Sequence, residues 1–122
     1  MMNNVILIMG KTNYQINLDP SIWIFDERRF SMEERFAGVN GLGMELGPFL
    51  ENAKPTEDAK AVVIHQRDGQ TVKLSLDEAS SAVLQFAQDG KPIRPNGPAL
   101  LYLADGSNQD SPIDCIEKLE LI

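Results

Sequence analysis

The sequence predicts an α+β fold: a single strand-rich domain, mostly antiparallel, with two or three short helices. Three observations predict it. Two β-rich runs, 61–65 and 71–76, flank the turn dipeptide Asp68-Gly69, a strong local hairpin signal. The end of the chain alternates, with Leu119 and Leu121 set against Lys118 and Glu120. No segment sustains helical periodicity beyond about three turns, so any helices are short.

Composition bounds the reading. The 122 residues suit one domain, and 43% hydrophobic residues suit a folded core. We treat 1–122 as that domain, with 1–40 as N-terminal strands and a short helix and 41–122 as the core. A net charge of −7 opposes non-specific binding to nucleic acid or to an anionic membrane, because both need clustered Lys and Arg. One cysteine, Cys115, closes no intrachain disulfide and builds no cysteine zinc site. The opening MMNNVILIMGK lacks a basic n-region and falls short of the ~20 apolar residues of a membrane helix. It reads as a first strand, and the expected compartment is the cytosol.

Taken in order, 5–9 is a short strand ended by Gly10. In 14–18, Tyr14, Ile16 and Leu18 alternate with Gln15 and Asn17, which predicts a half-buried strand ended by Asp19-Pro20. Residues 22–25 are aromatic and β-branched and predict a third strand, with Trp23 and Phe25 on one face. Ser31 and Glu34 form a capping box, so a short helix should run to about Gly38. Residues 38–43 read as a glycine loop whose spacing does not match a dinucleotide fingerprint. Leu46, Phe49, Leu50 and Ala53 share a helical face, with Pro48 near the first turn. After the hairpin, Asp77 or Ser75 caps a short helix. Residues 83–88 are apolar, as strand or helix end, before the turn Asp89-Gly90. Residues 98–104 and 113–122 read as strands around a polar loop.

The order GMELGPFLENA, RDGQTVKLSLDEA, VLQFAQDGKPIRPNGPALLYL and IEKLELI resembles the molybdopterin-binding domain of the sulfite oxidase family of oxidoreductases. In that family a leucine-bearing helix precedes a DG hairpin, a short Leu-acid-Glu-Ala helix, an N-G-x-P-L-x-P-x-x-G-G-P-x-R segment and a closing strand. Asp89-Gly90-Lys91-Pro92-Ile93-Arg94-Pro95 and Gly97-Pro98 fit that segment. The resemblance covers the C-terminal two-thirds and offers no counterpart for 1–40. It implies a sulfite-oxidase-middle-domain-like fold, with Arg94, Asn96 and the Gly97 backbone as the residues that would hold molybdopterin.

The departures bear on function. The family's metal-ligating cysteine lies upstream of the leucine helix, and no cysteine occurs there in this chain. Asn96 stands where the family has histidine, and Ala99, Leu100 and Leu101 follow Pro98 where it has arginine. A soft metal centre needs a thiolate. The expectation is therefore a non-catalytic binding or interaction module with no cofactor, meeting a protein partner or a second copy of itself. The alternatives are a pterin-dependent oxidoreductase with an altered centre and a prolyl-isomerase-like activity.

Other groups have plainer readings. His65 is the only histidine and has no nucleophile motif beside it. Ser80 and Ser81 lack a hydrolase elbow. Cys115 reads as a small buried hydrophobe. The loop 105–110 (Asp105, Asn108, Asp110), with Asp114, offers oxygens suited to calcium but lacks the EF-hand glycine and terminal glutamate. Arg28 and Arg29 lie among acids and read as a surface turn. Trp23, Phe25, Phe30 and Phe36 read as core, with an interaction surface as the sharper possibility.

Overall fold

A computed structural model describes residues 4–122. Strand β1 (Ile6–Gly10) is followed by β2 (Ile16–Leu18). Ile6, Ile8 and Leu18 are buried on the inward face, as alternation requires. The next element corrects the expected third strand: Pro20–Phe25 is a 3-10 helix. Asp19 caps it by accepting from the Ser21 amide at 3.1 Å and its hydroxyl at 2.6 Å, and Pro20 brings its fixed φ to the first turn. Three residues per turn separate Trp23 from Phe25, so the first is 4% exposed and the second 85%.

Strand β3 (Phe30–Ser31) leads into a second 3-10 helix, Met32–Glu34. The Ser31 amide donates to the Glu34 carboxylate at 3.0 Å, as the capping box requires. The stretch expected as glycine loop and helix start contains instead strand β4 (Leu42–Glu45), and helix α1 begins only at Gly47 (Gly47–Asn52). Its glycines permit close approach rather than looseness. At Gly41, with φ +114°, a Cβ would strike the Ala87 carbonyl, and at Gly43 it would strike the Met32 sulfur.

Strands β5 (Ala61–Gln66) and β6 (Thr71–Ser75) form the hairpin about Asp68-Gly69, paired from Ala61↔Ser75 to His65↔Thr71. Ser75, not Asp77, caps helix α2 (Leu76–Ser80): its hydroxyl accepts the Glu78 amide at 3.0 Å, and its own amide donates to the Glu78 carboxylate at 2.9 Å. Strand β7 (Val83–Gln88) turns at Asp89-Gly90, both at positive φ, into β8 (Lys91–Pro92). Strand β9 (Leu100–Tyr102) is shorter than the expected 98–104. Strand β10 (Ile116–Leu121) closes the chain. A bulge between Ile116 and Lys118 resets its parity, so Ile116, Leu119 and Leu121 all face inward.

Two five-stranded sheets result. One has the order β2-β1-β10-β5-β6, antiparallel except for the parallel pair β1 and β10. The other runs β3-β4-β7-β8, with β9 also on β7. One core cluster joins them: Ile6, Ile8, Ile64, Leu119 and Leu121 from the first meet Met44, Leu84, Phe86 and Leu101 from the second. Met32, Phe36, Val83 and Tyr102 form a second cluster, which leaves β7 buried along most of its length. Among the described residues no helix is long and apolar enough to cross a membrane.

Candidate functional site

The segment 94–98 leaves the β7–β8 hairpin and returns toward β9. Its Arg94-Pro95 and Gly97-Pro98 peptide bonds are cis. One flank is tied to the ends of β5 and β10 by Arg67. That guanidinium donates to the Pro95 carbonyl at 2.7 Å, the Gly97 carbonyl at 3.0 Å and the Cys115 Sγ at 3.3 Å. The backbone repeats the tie. The Arg67 amide donates to the Cys115 carbonyl at 2.8 Å, and the Cys115 amide donates to the Asn96 carbonyl at 2.8 Å.

The three residues expected to hold a cofactor therefore part company. Gly97 is buried, and a Cβ there would strike the Ile93 carbonyl. Half-buried Asn96 lies 3.5 Å from Asp114 through its side-chain amide. Arg94 is exposed on the other flank, where it lines a cleft. Cys115 is also not the strand-borne hydrophobe expected. It sits half-buried just before β10, at φ +52°, under the Arg67 guanidinium.

The cleft lies between the first 3-10 helix and the β7–β8 hairpin and has a volume of about 170 Å³. Buried Phe86 and Ile93 line it together with exposed Ile24 and Pro92. Phe86 is held edge-on against Trp23, whose ring stacks on Phe49 at 5.1 Å. Among the described residues, the charged members of the lining are Lys91 and Arg94, with no acid, although the chain carries 18 acids to 11 bases. The cleft escaped the sequence reading because it joins residues 20–24 to 86–94, and no local motif encodes that contact.

The remaining candidates are engaged in structure. The His65 Nε2 lies 2.9 Å from the Glu120 carboxylate. The Ser81 hydroxyl donates to the Asp77 carbonyl at 3.1 Å. Asn108 accepts the Leu103 amide and donates to the Leu101 carbonyl, and Asp105 accepts the Ser107 amide, so these two side chains spend their oxygens on the backbone of their own loop and strand. Arg28 grips Asp26 at 2.8 and 3.0 Å and lies over Phe49. That grip holds the Asp26 carboxyl down at about 2. Trp23 and Phe36 are core, whereas Phe25 stands 85% exposed beside Ile22 at 60%.

A molybdopterin can be tested against these groups. Among the described residues no cluster of three or more His, Cys, Asp or Glu is placed to hold a metal. The thiol that would serve as soft ligand is outside the cleft lining, under Arg67, and Arg94, Asn96 and Gly97 do not converge. These residues do not fit the group.

No family model matches the chain. No curated protein matches it either. Among solved structures it is similar to the sulfane dehydrogenase SoxCD from Paracoccus pantotrophus, with TM-score 0.70 and 13% identity, over 99% of this chain and 39% of that one. That likeness shows a sulfite-oxidase-like fold. It also corrects the expectation that the N-terminal third has no counterpart, since 99% of this chain is covered.

Proposed function

We propose that the chain is a non-catalytic binding or interaction module on a sulfite-oxidase-like scaffold. One observation carries this reading: Arg67 ties down the segment 94–98 on one flank. The carbonyls of Pro95 and Gly97, together with the only thiol, accept its hydrogen bonds. Groups bound this way stabilise a loop and are withdrawn from ligand contact. The exposed apolar side chains of Tyr14, Ile22 and Phe25 support contact with a protein partner or a second copy.

The second reading is a pterin-dependent oxidoreductase with an altered centre, favoured by the likeness to a dehydrogenase. The test is elemental analysis for molybdenum and tungsten, with extracted pterin fluorescence, on protein purified from a host that makes the cofactor. The expected result is neither metal nor pterin above background. Near-stoichiometric cofactor would overturn the first reading in favour of the second.

A further inference from the structure

We propose that the cleft between the first 3-10 helix and the β7–β8 hairpin binds a small monocarboxylate whose apolar body is about one ring in size. The proposal rests on the binding-module reading and names the chemical class of its ligand. Size comes first. A cleft of about 170 Å³ is close to the ~150 Å³ that takes a benzene ring. It is well below the ~300 Å³ at which pockets begin to take drug-sized ligands. A pterin with its phosphate is too large for it.

The lining gives the chemistry. Phe86, Ile93, Ile24 and Pro92 supply an apolar interior, and removal of a ring from water against them is favourable. Lys91 and Arg94 supply positive charge, and no acid is among the described lining residues, in a protein whose net charge is −7. Arg presents a planar fork that matches a carboxylate, and Lys adds a point charge. The ligand is therefore apolar at one end and singly negative at the other. A free phosphate carries more charge and no apolar end, and it would leave the interior unfilled.

The interior is also preorganised. Phe86 lies on β7, buried and wedged against Trp23 at a ring distance of 5.6 Å. The hairpin that carries Lys91 is set by the two positive-φ residues Asp89 and Gly90. Rigid walls lower the ordering cost of binding.

Trp23 is the only tryptophan, so the native chain carries its own reporter one ring away from the cleft. The experiment is a titration of the full-length purified protein with phenylacetate. Binding is followed by Trp23 fluorescence and by amide shifts of Gly90, Lys91 and Arg94. Saturable binding is expected, with a Kd of about 1 mM or tighter. Phenylacetamide, of the same shape without the charge, should bind about tenfold more weakly. Lys91→Ala and Arg94→Gln change exposed side chains, should leave the circular dichroism unaltered, and should each weaken phenylacetate about tenfold.

Three results would overturn the proposal. They are absence of saturable binding, equal binding of the amide, and displacement of phenylacetate by equimolar inorganic phosphate. The outcome is separable from that of the parent reading. Cofactor in the purified protein would overturn the parent reading, whereas silent phenylacetate in cofactor-free protein would overturn only the ligand class.

Discussion

Arg67 and Arg94 serve the same short segment, 94–98, from opposite flanks. Arg67 gives its donors to two carbonyls and a thiol of its own chain. Arg94 stands exposed at the cleft with Lys91. The residue type is the same, so the difference lies in what each side chain meets. Where main-chain carbonyls converge within reach, the guanidinium becomes part of the fold. Where it lies exposed at the rim of an apolar cleft beside a second cation, it lines the binding site proposed above. A positive residue near a Pro-Gly segment is therefore uninformative about function until its flank is known.

Substitutions can break this contrast, beginning with the most severe. Gly97→Ala puts a methyl group against the Ile93 carbonyl and should destabilise the protein by about 3 kcal/mol in a denaturant titration. Arg67→Met keeps the length of the stem but removes three hydrogen bonds and should cost about 2 kcal/mol. Arg67→Lys should recover only part of that, because a single ammonium lacks the two-nitrogen fork that reaches these separate acceptors. Arg94→Gln, on the other flank, should change stability by less than about 0.5 kcal/mol. If Arg94→Gln unfolds the protein as Arg67→Met does, the contrast is wrong.

The mildest test is acid titration. Asp26, bound by Arg28, and Asp58, bound by Lys11 and Thr56, each have a pKa lowered to about 2 from 3.8. A lowered folded-state pKa gives stability that is present above about pH 4 and is lost as pH falls through about 2. Both groups are exposed, so the effect is small. The melting temperature, followed from pH 5 to 2, should fall across that window, and Asp58→Asn should flatten part of the slope.

What the sequence made legible was local. The Asp68-Gly69 hairpin and the capping pairs Ser31/Glu34 and Ser75/Glu78 depend on residues a few positions apart, and the structure has them. What it obscured was decided at a distance or by competing local rules. The β-branched and aromatic character of residues 22–25 favoured a strand, but the Asp19 cap and Pro20 outweighed it. Gly41 and Gly43 look like loop glycines because the Ala87 carbonyl and Met32 sulfur that require them belong to other elements of the fold. The bulge before Lys118 was invisible to a simple count of parity. Arg94, Asn96 and Gly97 lie close together in sequence, yet the fold turns them toward the cleft, Asp114 and Arg67 respectively.

The parallel pairing of β1 with β10 also governs how quickly the molecule assembles. Leu7 sits opposite Lys118, so this contact joins segments on the order of a hundred residues apart and lies at the centre of its sheet. Neither strand can be replaced by a nearby hairpin, since parallel partners need a long crossover. Search for that distant neighbour makes refolding slow, in the millisecond-to-second range typical of chains dominated by non-local pairs. Until the two strands meet, the flanks of β1 and β5 that will receive β10 present bare backbone donors and acceptors, so the unfinished sheet is when the chain is most prone to stick to its own kind.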